Sequence, residues 1–355
     1  MVLTRRPAPG TLPDVLQMKE IAAPVPRPRD VVVQVLASSI NIDDLHVAEG
    51  TFYGGIPIGK RPRRDRPVTP GSDLAGIAVK VGEDVRSIRV GEPVFGVQMP
   101  LRARGAWAEV CAVDERWLTK KPETLSFATA AACGVSGLVA LSAMDALNIR
   151  AGQRIVVVGA SGGIGAMAVQ LARRAGAEVI GVCGPANVER AYSLGCSRVL
   201  NYRGGPWDRA LDEAGKTHID RVLDTVGGRG TEQMGRRVLN RDGIFATVVG
   251  PERFIGDRAL GWGRILAILA RIAYRTVASF FHGPRYVLTG PGPSGGKALG
   301  EVAAAAVAGV LPPIDSTVPF ELEPMREALK RAAAHRNNGR IVIEMEQTPQ
   351  IALRA

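Results

Sequence analysis

Cysteine and histidine are scarce in this sequence, and their spacing excludes several kinds of site. The four cysteines lie far apart and form no CxxC pair, so neither a disulfide framework nor a thiolate zinc cluster is predicted. The histidines are His46, His218, His282 and His335, and they show no ligand spacing either. Because catalytic zinc needs about three protein ligands, we expect no metal site.

Long apolar segments are also lacking. Hydrophobic residues make up 46% of the chain and charged residues 22%, which is ordinary for a globular protein and too polar for a bundle of membrane spans. No segment is predicted to cross a membrane. The N-terminal stretch MVLTRRPAPGTLPDV has arginines but no apolar core after them, so it does not resemble an export or import signal. We therefore expect a cytoplasmic protein.

Acidic residues are fewer than basic ones, which gives a net charge of +11. This charge attracts phosphate-bearing partners without specifying which one. The densest basic run, KRPRRDRP from Lys60 to Pro67, has no interleaved aromatics and no helical period. It is typical of a solvated loop rather than of a nucleic-acid-binding element, and no nucleic-acid partner is expected.

The pattern of apolar runs predicts two lobes, as does the length of 355 residues, since single cores rarely exceed about 250 residues. Between Val31 and Ala112 short apolar runs are separated by glycine and proline, as in VVVQVLAS, LAGIAVKVG, GEPVFGV and GAWAEVCAV. This spacing predicts a strand-rich, barrel-like lobe. After KKPETLSFATAAA, apolar strands alternate with helical stretches, which predicts a parallel sheet covered by helices and an α/β fold class.

A glycine-rich turn follows the first strand of the second lobe. In VVVGASGGIG, Ala160, Gly162 and Gly165 form an AxGxxG pattern that leads directly into the helix AMAVQLARRAG. Glycines allow a tight turn and a close approach of the backbone to a pyrophosphate, while the helix N-terminus favours negative charge. The segment therefore predicts a dinucleotide site.

The end of the next strand, EVIGVC, bears on which dinucleotide binds. NAD sites usually place Asp or Glu there, to accept hydrogen bonds from the ribose. Here the residue is Cys183, and the first carboxylate appears only at Glu189. Arg190 could supply positive charge to a ribose phosphate. The sequence thus favours NADP(H) over NAD(H).

The segment 261–281 is apolar, yet Arg264, Arg271 and Arg275 recur at offsets of 7 and 4. These offsets predict an amphipathic basic helix. It could pack against the protein or a second subunit, or it could make peripheral contact with an anionic membrane. The tail predicts a helix, a turn at Gly339 and a final strand beginning at Arg340.

The order of these segments resembles the medium-chain dehydrogenase/reductase superfamily, and within it the zinc-independent quinone oxidoreductase (zeta-crystallin-like) branch. The most specific similarities are the glycine-rich turn and PGSDLAG, with looser ones in NIDDLHVAEG, ACGVSGLVAL and GRIVI. The resemblance implies a GroES-like, strand-rich catalytic domain over 1–124, completed by 311–355. It also implies a Rossmann NADP(H)-binding domain with a doubly wound parallel sheet over 125–310.

The resemblance also implies site residues. Asn41 and Asp44 would line the cleft beside the nicotinamide, and Arg340 would reach back toward the cofactor. The remaining cofactor contacts would be Ala160, Ser161, Gly162, Gly163, Ile164 and Gly165 at the pyrophosphate, with Cys183, Gly184, Asn187, Arg190 and Tyr202 toward the adenosine phosphate.

Three zinc-associated features of other superfamily members are absent. Those proteins carry Cys where NIDD begins, Gly-His-Glu where Gly71–Asp73 stands, and a four-cysteine lobe downstream; none of these occurs here. Without a Lewis acid, substrates that accept hydride readily are favoured, namely quinones and conjugated enones. The predicted function is NADPH-dependent reduction of such a small electrophile, by a protein that the resemblance implies is a homodimer.

Other interpretations stay open. His46 could donate the proton that follows hydride transfer, or it could be a half-buried residue with no chemical role. The protein could instead be an enoyl-thioester or lipid-enone reductase, or an alcohol dehydrogenase-like enzyme. A protein that binds NADPH without turnover, as a sensor or scaffold, is the alternative outside enzymes.

Overall fold

The computed structural model describes residues 1–51, 62–99, 104–212, 218–251, 261–291 and 295–346, which form two sheets flanked by helices. The strands are β1 Asp30–Ile40, β2 Asp73–Val81, β3 Pro93–Val97, β4 Val110–Asp114, β5 Leu118–Lys120, β6 Arg154–Val158, β7 Glu178–Cys183, β8 Arg198–Asn201, β9 Ile219–Asp224, β10 Leu239–Thr247, β11 Arg285–Leu288, β12 Ile314–Pro319 and β13 Arg340–Glu344. The helices are α1 Leu12–Val15, α2 Ile42–Glu49, α3 Phe127–Leu147, α4 Gly163–Arg174, α5 Val188–Leu194, α6 Trp207–Asp212, α7 Arg229–Val238, α8 Trp262–Phe281, α9 Gly295–Val307 and α10 Leu322–Ala333.

The first lobe is built on a seven-stranded sheet in the order β12-β13-β1-β2-β3-β5, with β4 also paired to β1. Strand β1 is the centre of this sheet, because it pairs with β4 along its first half and with β13 along its second. Ten of its eleven residues are buried, which explains why most of its side chains are apolar or small. The predicted strand-rich lobe is confirmed.

The second lobe holds a six-stranded sheet in the order β11-β10-β9-β6-β7-β8. Every pairing in it is parallel. The strands β6, β7 and β8 are added toward one edge of the sheet, and β9, β10 and β11 toward the other, so the strand order reverses between β6 and β9. In a doubly wound sheet a crevice opens at this switch point, outside the carboxyl ends of the strands. The predicted parallel sheet is confirmed, and the glycine-rich turn follows β6 at this crevice.

Helix α3 lies between the two lobes. It packs on β1, β2 and β3 of one sheet and on α4 and α9 of the other lobe. The Ser126 hydroxyl caps its start by accepting the Thr129 N–H at 3.0 Å. By length and composition this helix could cross a membrane, which the sequence analysis did not anticipate. However, 61% of its apolar window is buried inside the protein, as expected for a core helix.

Three other sequence predictions can be placed on the structure. Residues 63–66 of the basic run are exposed, as predicted for a solvated loop, while Lys60 lies outside the described residues. The predicted helix over 261–281 is confirmed as α8, and the tail forms α10, a turn at Gly339 and β13. The domain boundaries at 124 and 310 stay predictions, and 347–355 lie outside the described residues.

Candidate active site

A cleft of about 1330 Å³ separates the two lobes. It is bounded by the glycine-rich turn, α2, the end of β7 and residues that follow β9 and β10. Pockets for a single small molecule are typically about 300–1,000 Å³. The cleft therefore has room for a dinucleotide and a second molecule together.

The glycine-rich turn, residues 159–165, forms one wall of this cleft and leads into α4. Gly159 has φ +84°, and a Cβ on it would overlap the hydroxyl of Thr225. A Cβ on Gly165 would overlap the carbonyl oxygen of Gly159, so helix and strand can approach only because both residues are glycine. By contrast, the nearest atom to a Cβ on Gly162 would be 3.5 Å away. The backbone at Gly162 can therefore be approached closely, and the first turn of α4, whose N–H groups have no partner within the helix, lines the cleft as an anion site requires.

A buried hydroxyl lies beside this turn. Ser136 of α3 lines the cleft and is fully buried, and its Oγ has no hydrogen-bond partner among the described residues. A Cβ on Gly163 would lie 2.6 Å from that oxygen, which places the hydroxyl at the start of α4. Buried polar groups are almost always satisfied. A phosphate oxygen held by the turn would satisfy it, so these residues fit the pyrophosphate of a dinucleotide.

The far end of the cleft is formed by Cys183, Gly184, Asn187 and Tyr202. Tyr202 is close to Gly184, since a Cβ there would lie 3.3 Å from the phenol oxygen. The carboxylates among the described lining residues are Asp43 and Asp44, which belong to α2 of the first lobe. This end therefore presents no carboxylate from the described residues.

Two of the predicted cofactor residues do not line the cleft. Ala160 is fully buried, and its N–H donates to the Val182 carbonyl of β7 at 3.1 Å. Arg190 does not line the cleft either. It lies in α5, and its Nη1 is buried against the protein. The structure places the other predicted cofactor residues along the cleft.

A polar cluster closes the opposite end of the cleft, with Asp73 at its centre. Asp73 is completely buried, and its Oδ2 accepts hydrogen bonds from Ser39 Oγ at 2.6 Å and Asn41 Nδ2 at 2.8 Å. The guanidinium of Arg340 forms an ion pair with the same oxygen at 2.5 Å and donates to Asn41 Oδ1 at 2.6 Å. The backbone N–H of Val135 donates to Asp73 Oδ1 at 2.7 Å. Arg340 is thus held in place by Asp73 while lying next to the glycine-rich turn.

Asp44 joins this cluster to the start of α2. Its Oδ2 accepts the Asn41 backbone N–H at 2.9 Å, as part of a capping box, and its Oδ1 accepts from Ser72 Oγ at 2.8 Å. Burial raises the pKa of Asp44 to about 7, against these two hydrogen bonds, which lower it. Burial likewise raises the pKa of the neighbouring Asp43 to about 6. The cleft therefore contains carboxyl groups that titrate near neutral pH.

Two roles were left open for His46, proton donor or buried residue with no chemical role, and its position favours the second. His46 is buried on α2, its Nδ1 lies 2.7 Å from Thr51 Oγ1, and it is not among the described residues that line the cleft. Burial, with a contribution from the charge of His335, lowers its pKa to about 4. The imidazole is thus neutral at pH 7 and poorly placed to donate a proton.

The sequence analysis missed Ser136 as a site residue and did not foresee the partners of Arg340. A lone serine in the apolar ACGVSGLVAL segment is the signal that could have indicated Ser136. In the described part of the chain no three His, Cys, Asp or Glu side chains come together as a possible metal site. All four cysteines are free and buried.

Two family models match separate parts of the chain. Residues 27–123 match the alcohol dehydrogenase GroES-like domain, and residues 163–259 match zinc-binding dehydrogenase. Together they span more than half of the chain, with one in each lobe. The chain belongs to the medium-chain dehydrogenase/reductase superfamily.

Curated members of this superfamily are similar along much of the chain. The NAD(P)H oxidoreductase RTN4IP1, mitochondrial, of Bos taurus is 28% identical over 339 residues, which are 90% of this chain and 82% of that protein. The chloroplast envelope quinone oxidoreductase homolog of Arabidopsis thaliana is 33% identical over 221 residues, covering 60% of this chain and 64% of the plant protein.

Solved structures of superfamily members share the fold of both lobes. An alcohol dehydrogenase superfamily protein from Novosphingobium aromaticivorans has a TM-score of 0.76 at 25% identity, and the match covers 97% of this chain and 98% of that one. The quinone oxidoreductase from Coxiella burnetii has a TM-score of 0.74 at 21% identity, with the same coverage.

Proposed function

We propose that this oxidoreductase uses NADPH to reduce a quinone or an α,β-unsaturated carbonyl compound, without a metal ion. The observation that carries the proposal is the junction of β6 and α4, where the first turn of α4 and the Ser136 hydroxyl, which has no partner among the described residues, line one cleft. When bound, the nicotinamide supplies the hydride. The chain binds and orients the two reactants in a cleft that excludes water, which accounts for most of the catalysis in this proposal.

The preference for NADPH is supported by the far end of the cleft. A carboxylate there would repel a ribose phosphate, and the described lining residues at Cys183, Gly184, Asn187 and Tyr202 provide none. The net charge of +11 favours the more negative of the two cofactors. Since Arg190 does not line the cleft, backbone and hydroxyl groups take a larger share of this recognition in the proposal than the sequence predicts.

A proton must accompany the hydride when the substrate becomes a hydroquinone or a saturated ketone. Asp44 and Ser72 both line the cleft and share a hydrogen bond of 2.8 Å. With its pKa raised to about 7 by burial, Asp44 is partly protonated at neutral pH. In this proposal the Asp44 carboxyl holds that proton, Ser72 Oγ passes it to the substrate oxygen, and solvent then reprotonates the carboxylate.

A metal-free mechanism is supported by the donor set of the polar cluster. The resemblance places Asn41 at the Cys position of the zinc-dependent relatives, and Ser72 and Asp73 at the His and Glu positions of their Gly-His-Glu. Here the Arg340 guanidinium is bonded to the side chains of both Asn41 and Asp73. A fixed cation and a carboxamide do not offer the three ligands that zinc requires, so these residues do not fit a zinc ion.

The proposal is tested by titrating purified protein with NADPH and NADH, and then by following cofactor oxidation with quinones, enones, acyl thioesters, aldehydes and ketones. We expect tighter binding of NADPH, and turnover of quinones or enones that a chelator leaves unchanged. Tight binding without turnover would select a sensor or scaffold. Loss of activity with chelator would refute the metal-free mechanism, and preference for thioesters would indicate an enoyl-thioester reductase.

The cofactor choice is tested separately with Gly184→Asp. This position has an ordinary φ of −77°, and the tight contact of a Cβ would be with the phenol of Tyr202, which is 53% exposed and can shift. The new carboxylate would lie at the adenosine end of the cleft. We expect NADPH affinity to fall by at least about tenfold and NADH affinity to change little. Gly184→Ala is the matched control, which adds the Cβ without the charge and should leave the ratio of affinities unchanged.

A further inference from the structure

One face of α8 is apolar and open to solvent. Six large side chains on it are between 58% and 75% exposed. They are Trp262, Leu266, Tyr274, Val277, Phe280 and Phe281. Monomeric proteins rarely expose a contiguous apolar patch of this kind, and such patches mark sites of interaction. We call these six residues the exposed face of α8.

The helical period places these side chains together. At about 100° per residue, the six positions fall within an arc of about 120°. No charged residue of α8 lies within this arc. The opposite side of the helix carries Ile265 and Ile268, which are buried against the protein. The helix is therefore held on one side and presents an exposed apolar strip on the other.

Positive charge borders this strip. Helix α8 contains three arginines and no acidic residue. Arg275 turns inward and forms an ion pair with the buried Glu232 at 3.0 Å. Arg264 is exposed and Arg271 is half-buried, and the helical period places both beyond the same edge of the exposed face of α8. At the C-terminal end of the helix, the guanidinium of Arg285 lies 5.4 Å from the centre of the Phe280 ring. The apolar face thus has a basic rim.

The charge of the rim distinguishes between occupants. In a two-fold contact with a second copy, identical basic rims would face each other and repel. A surface that is apolar inside and negatively charged at its edge complements both parts of this face. A bilayer containing anionic lipids has this arrangement, and aromatic side chains such as Trp262 and Tyr274 are favoured at its interface.

We propose that α8 docks this protein on the surface of an anionic lipid bilayer. The exposed face of α8 inserts at the boundary between headgroups and acyl chains, and Arg264, Arg271 and Arg285 contact lipid phosphates. Helix α8 packs on β11, and the residues that follow β11, Thr289 and Gly290, line the cleft. The docked surface therefore lies one strand away from the cleft.

The experiment is cosedimentation of the full chain with vesicles of phosphatidylcholine, with and without phosphatidylglycerol. We expect binding to the anionic vesicles that weakens as salt rises. Leu266→Glu with Phe280→Glu should lower the partition coefficient by more than about a hundredfold, because two large apolar side chains no longer enter the bilayer. The matched control is Val25→Glu with Val90→Glu, which adds the same charge at exposed apolar positions of the first lobe and should bind as the wild type does.

The basic rim is tested by Arg264→Gln with Arg271→Gln, which should reduce binding about fivefold for each arginine. Arg64→Gln with Arg66→Gln makes the same change of net charge in the exposed loop and should have a smaller effect. Trp262 supplies a second measurement on the wild-type chain. Brominated lipids should quench part of the tryptophan fluorescence of the wild type, and this quenching should be absent from Trp262→Phe. The measurement does not depend on whether the glutamate variant folds.

Three results would overturn the proposal. The wild type could ignore anionic vesicles, or the Leu266→Glu and Phe280→Glu variant could bind them as well as the wild type. Alternatively, light scattering could show that this variant converts a dimer to a monomer while the wild type does not bind vesicles. That last result would assign the face to a second copy of the chain. NADPH titration of the same variants reports separately on the cleft.

Discussion

The ion pair between Asp73 and Arg340 is expected to be among the most sensitive points of the structure. Asp73 is completely buried and Arg340 is 8% exposed, so Arg340→Met leaves a carboxylate without its counter-ion in the core. Breaking a buried pair in this way costs about 3–5 kcal/mol. The carboxylate keeps three donors, from Ser39, Asn41 and the Val135 backbone, which favours a value near the lower limit, about 3 kcal/mol.

The reasoning predicts a recovery when the charge itself is removed. Arg340→Met combined with Asp73→Asn should be more stable than Arg340→Met alone by about 2 kcal/mol, since groups in direct contact couple at this scale. The control is Lys330→Met, which breaks the ion pair with Glu327 that spans 2.7 Å on the exposed side of α10. Surface pairs of that kind contribute less than about 1 kcal/mol.

The free energies of unfolding are measured by urea titration, followed by circular dichroism. A loss of less than about 1 kcal/mol for Arg340→Met would contradict the argument. So would a double variant that is no more stable than the single one. Either result would mean that water reaches Asp73 and solvates its charge.

Three further predictions concern the cleft. Ser136→Ala should leave the stability unchanged, since Oγ has no partner among the described residues, but should weaken NADPH binding about tenfold or more, as expected for a hydrogen bond to a charged group; equal affinity in a fluorescence titration would refute this role. Gly162→Ala should fold normally and lose NADPH affinity. Gly165→Ala should instead lower the free energy of unfolding by about 1–3 kcal/mol, because its Cβ would overlap Gly159. Thermal melts with and without NADPH distinguish the two effects. The raised pKa of Asp44, about 7, means that its proton is held below pH 7 and lost above it, so kcat for enone reduction should fall as pH rises through 7; Asp44→Asn should abolish this inflection and Asp43→Asn should keep it.

The raised pKa of Asp44 also makes the stability of the fold depend on pH. Because the folded state raises the pKa of Asp44 above the ordinary value of 3.8 to about 7, folding is favoured most below pH 4, and this contribution is lost as pH rises through 7. An Asp44→Asn variant lacks this dependence between pH 4 and 7.

The parts of the site that depend on local pattern could be predicted from the sequence. The alternation of strands and helices identified the parallel sheet, and the glycine spacing placed Gly162 and Gly163 at the start of α4. These features involve neighbouring residues, whose conformation is set by local sterics and hydrogen bonding. Cys183, Gly184 and Asn187 were placed on the cleft for the same reason, because they lie at or directly after the end of β7.

Contacts between distant segments could not be predicted in this way. The ion pair of Asp73 and Arg340 joins residues separated by 267 positions, and nothing in either local sequence indicates the other. Ser136 lies in a helix whose apolar neighbours gave no reason to expect a cleft. His46 has the chemistry of a proton donor, but only the fold shows that it lies outside the described lining of the cleft.

For α8 the periodicity predicted the helix correctly, but it drew attention to the arginines rather than to the apolar side that is exposed. The spacing of Arg264, Arg271 and Arg275 identified a basic side, and the sequence could not show which side the protein covers. In the structure Arg275 belongs to the covered side, through its contact with Glu232. The exposed side is the apolar one, because burial depends on what packs against a helix rather than on its own pattern.

The position of β13 bears on how the protein is made. This strand pairs with β1, although the paired residues lie 301 to 307 positions apart in the chain, and it brings Arg340 to Asp73. During synthesis the ribosome therefore releases β1, β2 and β3 long before their neighbour exists. Until the last segment emerges, the nascent sheet has an open apolar edge and an unneutralised acid in its interior. We expect the first lobe to complete its sheet only after β13 has been synthesised.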